Sequence, residues 1–302
     1  MSRISVLMPV CNVESYVEEA INSVLKQTHR DFELLICNDG SSDMTGDICE
    51  KIASSDPRIC VYHTKNQGVA RSLNYLIMKA NSEFCARMDG DDICAPHRLQ
   101  CQLSYFDNHK ALGVVGSKVR LFGMVDGLWR YRQTHDETKA LMLIGNTALC
   151  HPSWLVRTTL YEQFKYDEEF CGMEDYEWLS RVLFESNHEG YCTNEILLNH
   201  RIHSASVSQV TGDLQVDLRM KVLRCLWEKW GIAFNDTILD FFCSALLHGD
   251  SYRLSDNYIL EQAYEISSQL GKINSYTCDE INRRLAVISH PKKGLDEKTN
   301  ID

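Results

Sequence analysis

Along the first 125 residues, short runs that are apolar at nearly every position alternate with longer stretches in which apolar residues recur every three or four places. Residues 4–10, 32–38, 59–63 and 83–88 are runs of the first kind, and they predict strands buried on both faces. The longer stretches predict helices. One covers 16–27, with Val17, Ala20, Ile21, Val24 and Leu25 on a single face. Others cover 45–54, 69–80 and 96–106, the second carrying Leu73, Leu76, Ile77 and Ala80. Ser42 or Asp43 is the expected cap of the 45–54 helix, Asp56-Pro57 marks the turn after it, and Pro96 opens the last helix. Strand and helix at this rhythm imply βαβ units, hence an α/β fold with a mainly parallel central sheet and helices on both faces.

Beyond a further strand at 114–122 the pattern loosens. Residues 146–156 and 189–202 read as partly extended, and 176–184 as helical. From about residue 214 only helical patterns follow, over 214–230, 237–247 and 258–270, so the chain divides into an α/β domain at 1–210 and a helical extension at 211–302. The tail from Pro291, rich in Lys, Asp and Glu, is expected to fray.

Composition narrows the functional classes. A net charge of −11 argues against general nucleic-acid binding, which needs a basic surface. No apolar run has the length to span a bilayer, and Met1-Ser2-Arg3 leads straight into a strand, so a cytoplasmic location is expected. The thirteen cysteines form no CxxC pair, which fits buried thiols in a reducing compartment better than a disulfide framework or a thiolate-bound zinc.

The chemistry sits at strand ends. Asp89-Gly90-Asp91-Asp92 follows the apolar run 84–86, and a second strand ends in Asn38-Asp39. In open α/β sheets ligands bind beyond the carboxyl ends of the strands. Acids there suit a hard divalent cation, although either run alone also reads as a solvated polar turn. In Pro9-Val10-Cys11-Asn12-Val13-Glu14 a strand breaks before a helix, which leaves backbone groups free to hold a flat base or simply makes a capped turn. Asp39 could accept a hydrogen bond from a uracil N–H or a ribose hydroxyl, whereas Asp43 is assigned to capping. In Asn66-Gln67-Gly68-Val69-Ala70-Arg71, Gly68 admits close backbone approach at a helix N-terminus that favours anions. Arg71 there either contacts base or phosphate or forms a surface ion pair.

Taken in order, Pro9-Val10-Cys11-Asn12, Asn38 to Asp43, Asn66-x-Gly68 and Asp89-Gly90-Asp91-Asp92 with Pro96 and Arg98-Leu99 resemble the family 2 glycosyltransferases of the inverting GT-A fold. The resemblance covers roughly residues 3 to 210 and is specific as a set. It implies a nucleotide-sugar donor, with Asp39 on the base or ribose, Asp89 on the ribose side, and Asp91 on a Mn²⁺ or Mg²⁺ ion bridging the phosphates; Asp92 is read as support for the turn. Pro9, Val10, Glu14, Asn66, Gly68, Arg71 and Gly90 join the donor-binding candidates. Two positions depart from the family pattern: Cys11 stands where Tyr is frequent, and Gly90 where Ala is commoner, a change expected to be mild.

The second half supplies further candidates by the same resemblance. Glu174-Asp175 is similar to the family's acidic pair before a helix, which makes Asp175 the base that deprotonates the acceptor hydroxyl and Glu174 its orienting neighbour. Acids in a helix's first turn also favour the macrodipole without any catalytic role. His151, with Trp154 nearby, resembles an acceptor-side segment, and His200 to Ser208 resembles a His-x-x-Ser-x-Ser ending whose His203 reaches the metal or diphosphate. The implied function is transfer of a sugar from a UDP-linked donor to a saccharide or lipid-linked acceptor in O-antigen, capsule or lipopolysaccharide synthesis. Arg219, Lys221, Arg224 and Lys229 on the C-terminal helices allow peripheral membrane contact, with packing on the catalytic domain favoured. The rival readings are a catalytically degenerate nucleotide-sugar-binding protein and a sugar nucleotidyltransferase. The latter lacks its Gly-rich basic loop here, and a nicotinamide-dependent reductase lacks GxGxxG after strand one.

Overall fold

The structure, a computed structural model, describes residues 2–204, 212–244 and 257–289. It divides into two units, 1–133 with 149–210, and 134–148 with 211–302. The segment 134–148 groups with the second unit.

The first unit is built on one sheet. Strands β1 (Ile4–Val10), β2 (Phe32–Asp39), β3 (Ile59–Thr64) and β4 (Phe84–Arg87) pair in parallel in the order β3-β2-β1-β4. Helices α1 (Val17–Leu25), α2 (Thr45–Ala53) and α3 (Val69–Lys79) connect them. Nearly every residue of β1 is buried, as its unbroken apolar run required, and α1 buries Val17, Ala20, Ile21 and Val24. The sheet continues through β5 (Ile93–Cys94), β6 (Leu112–Gly123), β7 (Gly127–Trp129), β8 (Leu155–Arg157) and β9 (Glu189–Ile202). Here its character changes. β4–β8, β8–β6, β6–β7 and β5–β9 pair antiparallel while β6–β9 is parallel, so the sheet is mixed rather than mainly parallel. The regular βαβ rhythm behind the parallel expectation stops at β4. Helices α4 (Arg98–Asn108), α6 (Thr158–Gln163) and α7 (Glu174–Glu185) belong to this unit.

The second unit is helical. It contains α5 (His135–Met142), α8 (Gly212–Lys229), α9 (Asp236–Cys243), α10 (Asn257–Ile273) and α11 (Ser275–Ser289). Trp227 is its anchor: the indole is fully buried, meets Phe242 edge-on at 5.0 Å, and donates to the Leu143 carbonyl at 3.0 Å. Helix α5 starts in a capping box made by Thr134 and Glu137. The 237–247 helix reading extends past Ser244, and the tail from Pro291 follows it outside the described residues. No helix among the described residues is long and apolar enough to cross a membrane.

Candidate active site

The acid turn joins β4 to β5, and its position depends on Gly90. A β-carbon there would stand 2.6 Å from Val10 Cγ1 and 3.3 Å from Val13 Cγ2, so the turn lies hard against the end of β1. In this chain an added β-carbon would crowd Val10, so Gly90 is fitted to that neighbour. Beneath the turn lie two buried guanidinium groups. Arg87 donates from Nη2 to Asp89 Oδ1 at 2.6 Å. Arg98 donates to the carbonyls of Arg87 and Trp154 at 2.7 and 3.2 Å, which ties β4 to the chain entering β8.

Two histidines return to these acids from more than a hundred residues away. Ile93 and Cys94 pair with Asn199 and Leu198, and this brings the end of β9 beside the turn. His200 Nδ1 lies 3.0 Å from both carboxylate oxygens of Asp92, and the Arg201 N–H donates to Asp92 Oδ1 at 2.9 Å. His203 Nε2 stands 2.9 Å from Asp91 Oδ2 and packs on the Tyr16 ring at 4.9 Å. Ser206 and Ser208 of the same motif lie outside the described residues.

Burial pushes the Asp92 carboxyl up to about 6 even with His200 beside it. Burial also disfavours the charged imidazole of His200, yet the hydrogen bond and charge of Asp92, backed by Asp89 and Asp91, raise it to about 9. At neutral pH the two form an ion pair. Asp91 is likewise raised, by burial and by Asp89, against the pull of His203.

Asp89, Asp92 and His200 can each offer one ligand atom within 4.8 Å of the others, with the Asp91–His203 pair alongside. Carboxylate oxygens with imidazole nitrogens and no thiolate suit Mn²⁺, and suit Mg²⁺ through the carboxylates. The residues present thus fit a divalent cation. Asp91 and His203 come together; His200 also joins the cluster and was not among the candidates, because nothing in sequence spacing announces a partner 108 positions away.

On the nucleotide side, Asp39 is buried at the end of β2 and already engaged. Its Oδ1 accepts from Gln67 N and Thr64 Oγ1, both at 3.0 Å, and its Oδ2 accepts from Gly68 N at 2.9 Å. Of roughly four acceptor positions on a carboxylate, three are filled. Gly68 caps α3 at φ +90°, and a β-carbon there would meet Cys171 Sγ at 3.1 Å. The Asp39 loop therefore rests against the segment that leads into Glu174 and Asp175.

Three donor-side candidates have other partners. Glu14 accepts from Met44 N at 2.8 Å while its own N–H donates to Asp43, so it braces one loop against another. Asp43 also accepts from Thr45 N at 3.0 Å, but the cap position of α2 is Met44, so neither Ser42 nor Asp43 is the N-cap that was expected. Arg71 is exposed and paired with Glu168 at 2.6 Å, the surface ion pair that was its alternative reading. Asn66 is exposed, donates to Cys11 Sγ at 3.6 Å, and backs onto Gly40; Pro9 is half-buried at the end of β1.

Glu174 and Asp175 open α7. Glu174 is buried, accepts from Gly172 N at 2.7 Å, and is pushed up to about 7 by burial and by Asp175. Asp175 is half-buried and accepts from Tyr176 N at 2.7 Å. His151 Nδ1 lies 3.8 Å from Glu174 Oε1, and its Nε2 meets the Tyr166 hydroxyl at 2.7 Å. Burial and the nearby Arg87 hold His151 well below its ordinary range, so it is neutral. Trp154 has no exposed surface and packs between His151 and Trp178, at 4.6 and 5.5 Å. An acceptor cannot touch it, so its expected acceptor-side place is corrected to a support beneath His151.

Electrostatics link the two sides. The buried Cys150 thiol is raised by burial and then by Asp92, Asp89 and Asp175, and Arg87 feels both Asp89 and Glu174.

Residues 5–185 match the model of glycosyl transferase family 2. The chain is similar to the O-antigen biosynthesis glycosyltransferase WbnJ of Escherichia coli, 30% identical over 82% of this chain and 98% of that protein. It is also similar to the putative glycosyltransferase EpsE of Bacillus subtilis, 29% identical over 71% and 78%. The fold matches S. aureus TarS 1-349 in complex with UDP at a TM-score of 0.61, with 17% identity over 95% of this chain and 90% of that one. A mannosyltransferase from Pyrobaculum calidifontis in complex with GDP-Man and Mn²⁺ matches at 0.58, with 14% identity over 95% and 87%.

Proposed function

Since the chain belongs to glycosyl transferase family 2, we propose that it moves one sugar, with inversion, from a UDP-linked donor to an acceptor hydroxyl. It is a glycosyltransferase with the α/β architecture of the GT-A fold. Its relatives include a protein named for O-antigen biosynthesis, which supports a saccharide or lipid-linked acceptor in surface-polysaccharide assembly.

The observation that carries the reading is the return of His200 and His203 to Asp92 and Asp91. Asp89, Asp91, Asp92, His200 and His203 would hold a divalent cation, which supplies Lewis-acid stabilisation of the leaving diphosphate. Asp39 shapes the Gln67–Gly68 turn and keeps one acceptor position for a base N–H or a ribose hydroxyl. Asp175, on the first turn of α7, takes the proton from the acceptor hydroxyl as it attacks. Glu174 holds the Gly172 turn beside it and fixes the direction of approach.

Calorimetry of UDP binding with and without Mn²⁺ tests this assignment. Mn²⁺ should tighten UDP at least about tenfold, a change of about 1.4 kcal/mol, and Asp91→Ala should abolish that gain. Equal Mn²⁺-dependent affinity in Asp91→Ala removes Asp91 as a ligand. A thermal-shift panel of UDP-, GDP- and TDP-sugars should favour UDP, and greater stabilisation by either of the others overturns the choice of base.

A further inference from the structure

The hairpin after β6 leaves a tryptophan at the edge of the acid cluster. β6 and β7 run antiparallel, with Val119 opposite Trp129 and Leu121 opposite Gly127. Leu121 is also the β-partner of His200 on β9, so Gly127, Leu121 and His200 form one row across three strands. Gly127 brings no side chain to that row. Trp129, two residues on, projects from the same face of the sheet. Its indole lies against the His200 imidazole, with centroids 5.6 Å apart and planes inclined by 33°. The other edge of that imidazole holds Asp92.

Despite this contact Trp129 is 40% exposed, and its Nε1–H has no hydrogen-bond partner among the described residues. Trp154, Trp178, Tyr161 and Tyr166 are wholly or almost wholly buried, and Tyr16 is half-buried against His203. An open indole offers an apolar face and one donor at its edge. A pyranose ring has the complementary form: a face of C–H groups bounded by hydroxyl oxygens that accept hydrogen bonds.

We propose that Trp129 is a sugar platform, on which a pyranose ring stacks against the indole while a ring hydroxyl accepts from Nε1–H. The inference rests on the glycosyltransferase reading and adds a subsite to it. Position supports it: the indole is one imidazole away from the acids that would hold the cation of the donor diphosphate in that reading. The ring belongs either to the donor sugar or to the acceptor, and the two are separable by experiment.

The test is saturation-transfer NMR on the full chain with Mn²⁺. The probes are UDP, UDP-glucose, UDP-N-acetylglucosamine and GDP-mannose, together with the methyl pyranosides of glucose, galactose, mannose and N-acetylglucosamine. Wild-type protein should saturate pyranose C–H protons of at least one probe. Trp129→Ala should cut that signal about fivefold to tenfold, while Trp129→Phe keeps most of it, in line with the worth of one aromatic contact. Signals from base and ribose protons should be equal in all three proteins, which also verifies the fold. Loss confined to nucleotide-linked sugars assigns the platform to the donor, and loss confined to methyl pyranosides assigns it to the acceptor; both support the proposal. Unchanged pyranose signals in Trp129→Ala, or no pyranose signal in the wild type while the nucleotide binds, overturn it. Absence of nucleotide signals in the wild type overturns the donor reading beneath it as well.

Discussion

Gly90→Ala adds one methyl group where the acid turn meets β1, and its cost can be worked from the packing. The new carbon would lie 2.6 Å from Val10 Cγ1 and 3.3 Å from Val13 Cγ2, whereas relaxed carbon pairs stand about 3.5–4.0 Å apart. Val10 is 3% exposed and β-branched, so its restricted side chain gives way only at a cost. Overpacking of this kind costs about 1–3 kcal/mol. For a unit of this size each kcal/mol lowers the thermal midpoint by about 2–4 °C, so Gly90→Ala should melt about 2–12 °C earlier in scanning calorimetry. Val10→Ala alone removes two buried methyl groups at about 0.8 kcal/mol each and leaves a cavity, for a loss of about 2 kcal/mol. In the double variant the methyl carbon added at position 90 occupies the vacated space, and the combined loss should fall short of the sum by at least about 1 kcal/mol. An unchanged midpoint in Gly90→Ala, or strictly additive losses, would refute the steric account of this turn.

Asp175→Asn should leave UDP affinity within about threefold while turnover falls by about 10²–10⁴, the usual worth of a general base; retained turnover removes it from that role. Glu174 carries a pH signature in stability. Below its ordinary value of 4.5 the carboxyl is protonated whether the chain is folded or not, and from there to about 7 the unfolded chain releases a proton that the fold keeps. Stability is therefore lost as pH rises through that window. Glu174→Gln, which stays neutral, should match the wild type in thermal midpoint near pH 4.5 and exceed it at pH 8. A difference independent of pH contradicts the placement of this carboxyl.

The sheet's first half was legible because each strand there is a dense apolar run closed by turn residues. The run 4–10 became β1 without change, and 189–202 became β9. Direction of pairing was not legible, since β6, β8 and β9 owe their neighbours to contacts far apart in sequence. Helix α5 was overlooked although Thr134-His-Asp-Glu137 spells a capping box, and α11 went unread as well. Within 146–156, read as partly extended, a 3₁₀ turn at His151–Ser153 stands before β8. At the site, the acids were legible as an improbable cluster of like charge. Their partners were not: His200 reaches Asp92 only through strand pairing, and Glu14 brings its carboxylate to Met44 N on a neighbouring loop. Trp154 illustrates the opposite error, because an aromatic beside a polar motif gives no sign of burial until the packing is known.

The pairing of Ile93–Cys94 with Leu198–Asn199 has a consequence of its own. Acids and imidazoles are stitched together by main-chain bonds immediately next to them, so their convergence survives the loss of any one charge. The entropy of closing a loop of more than a hundred residues is met once, when the chain folds, and not again at each turnover. A cation held there, as the proposed function has it, would meet a preorganised site, and its capture would immobilise only side-chain torsions and shed water. Exchange of one metal for another should accordingly alter affinity and rate while leaving the backbone around β5 and β9 where it is.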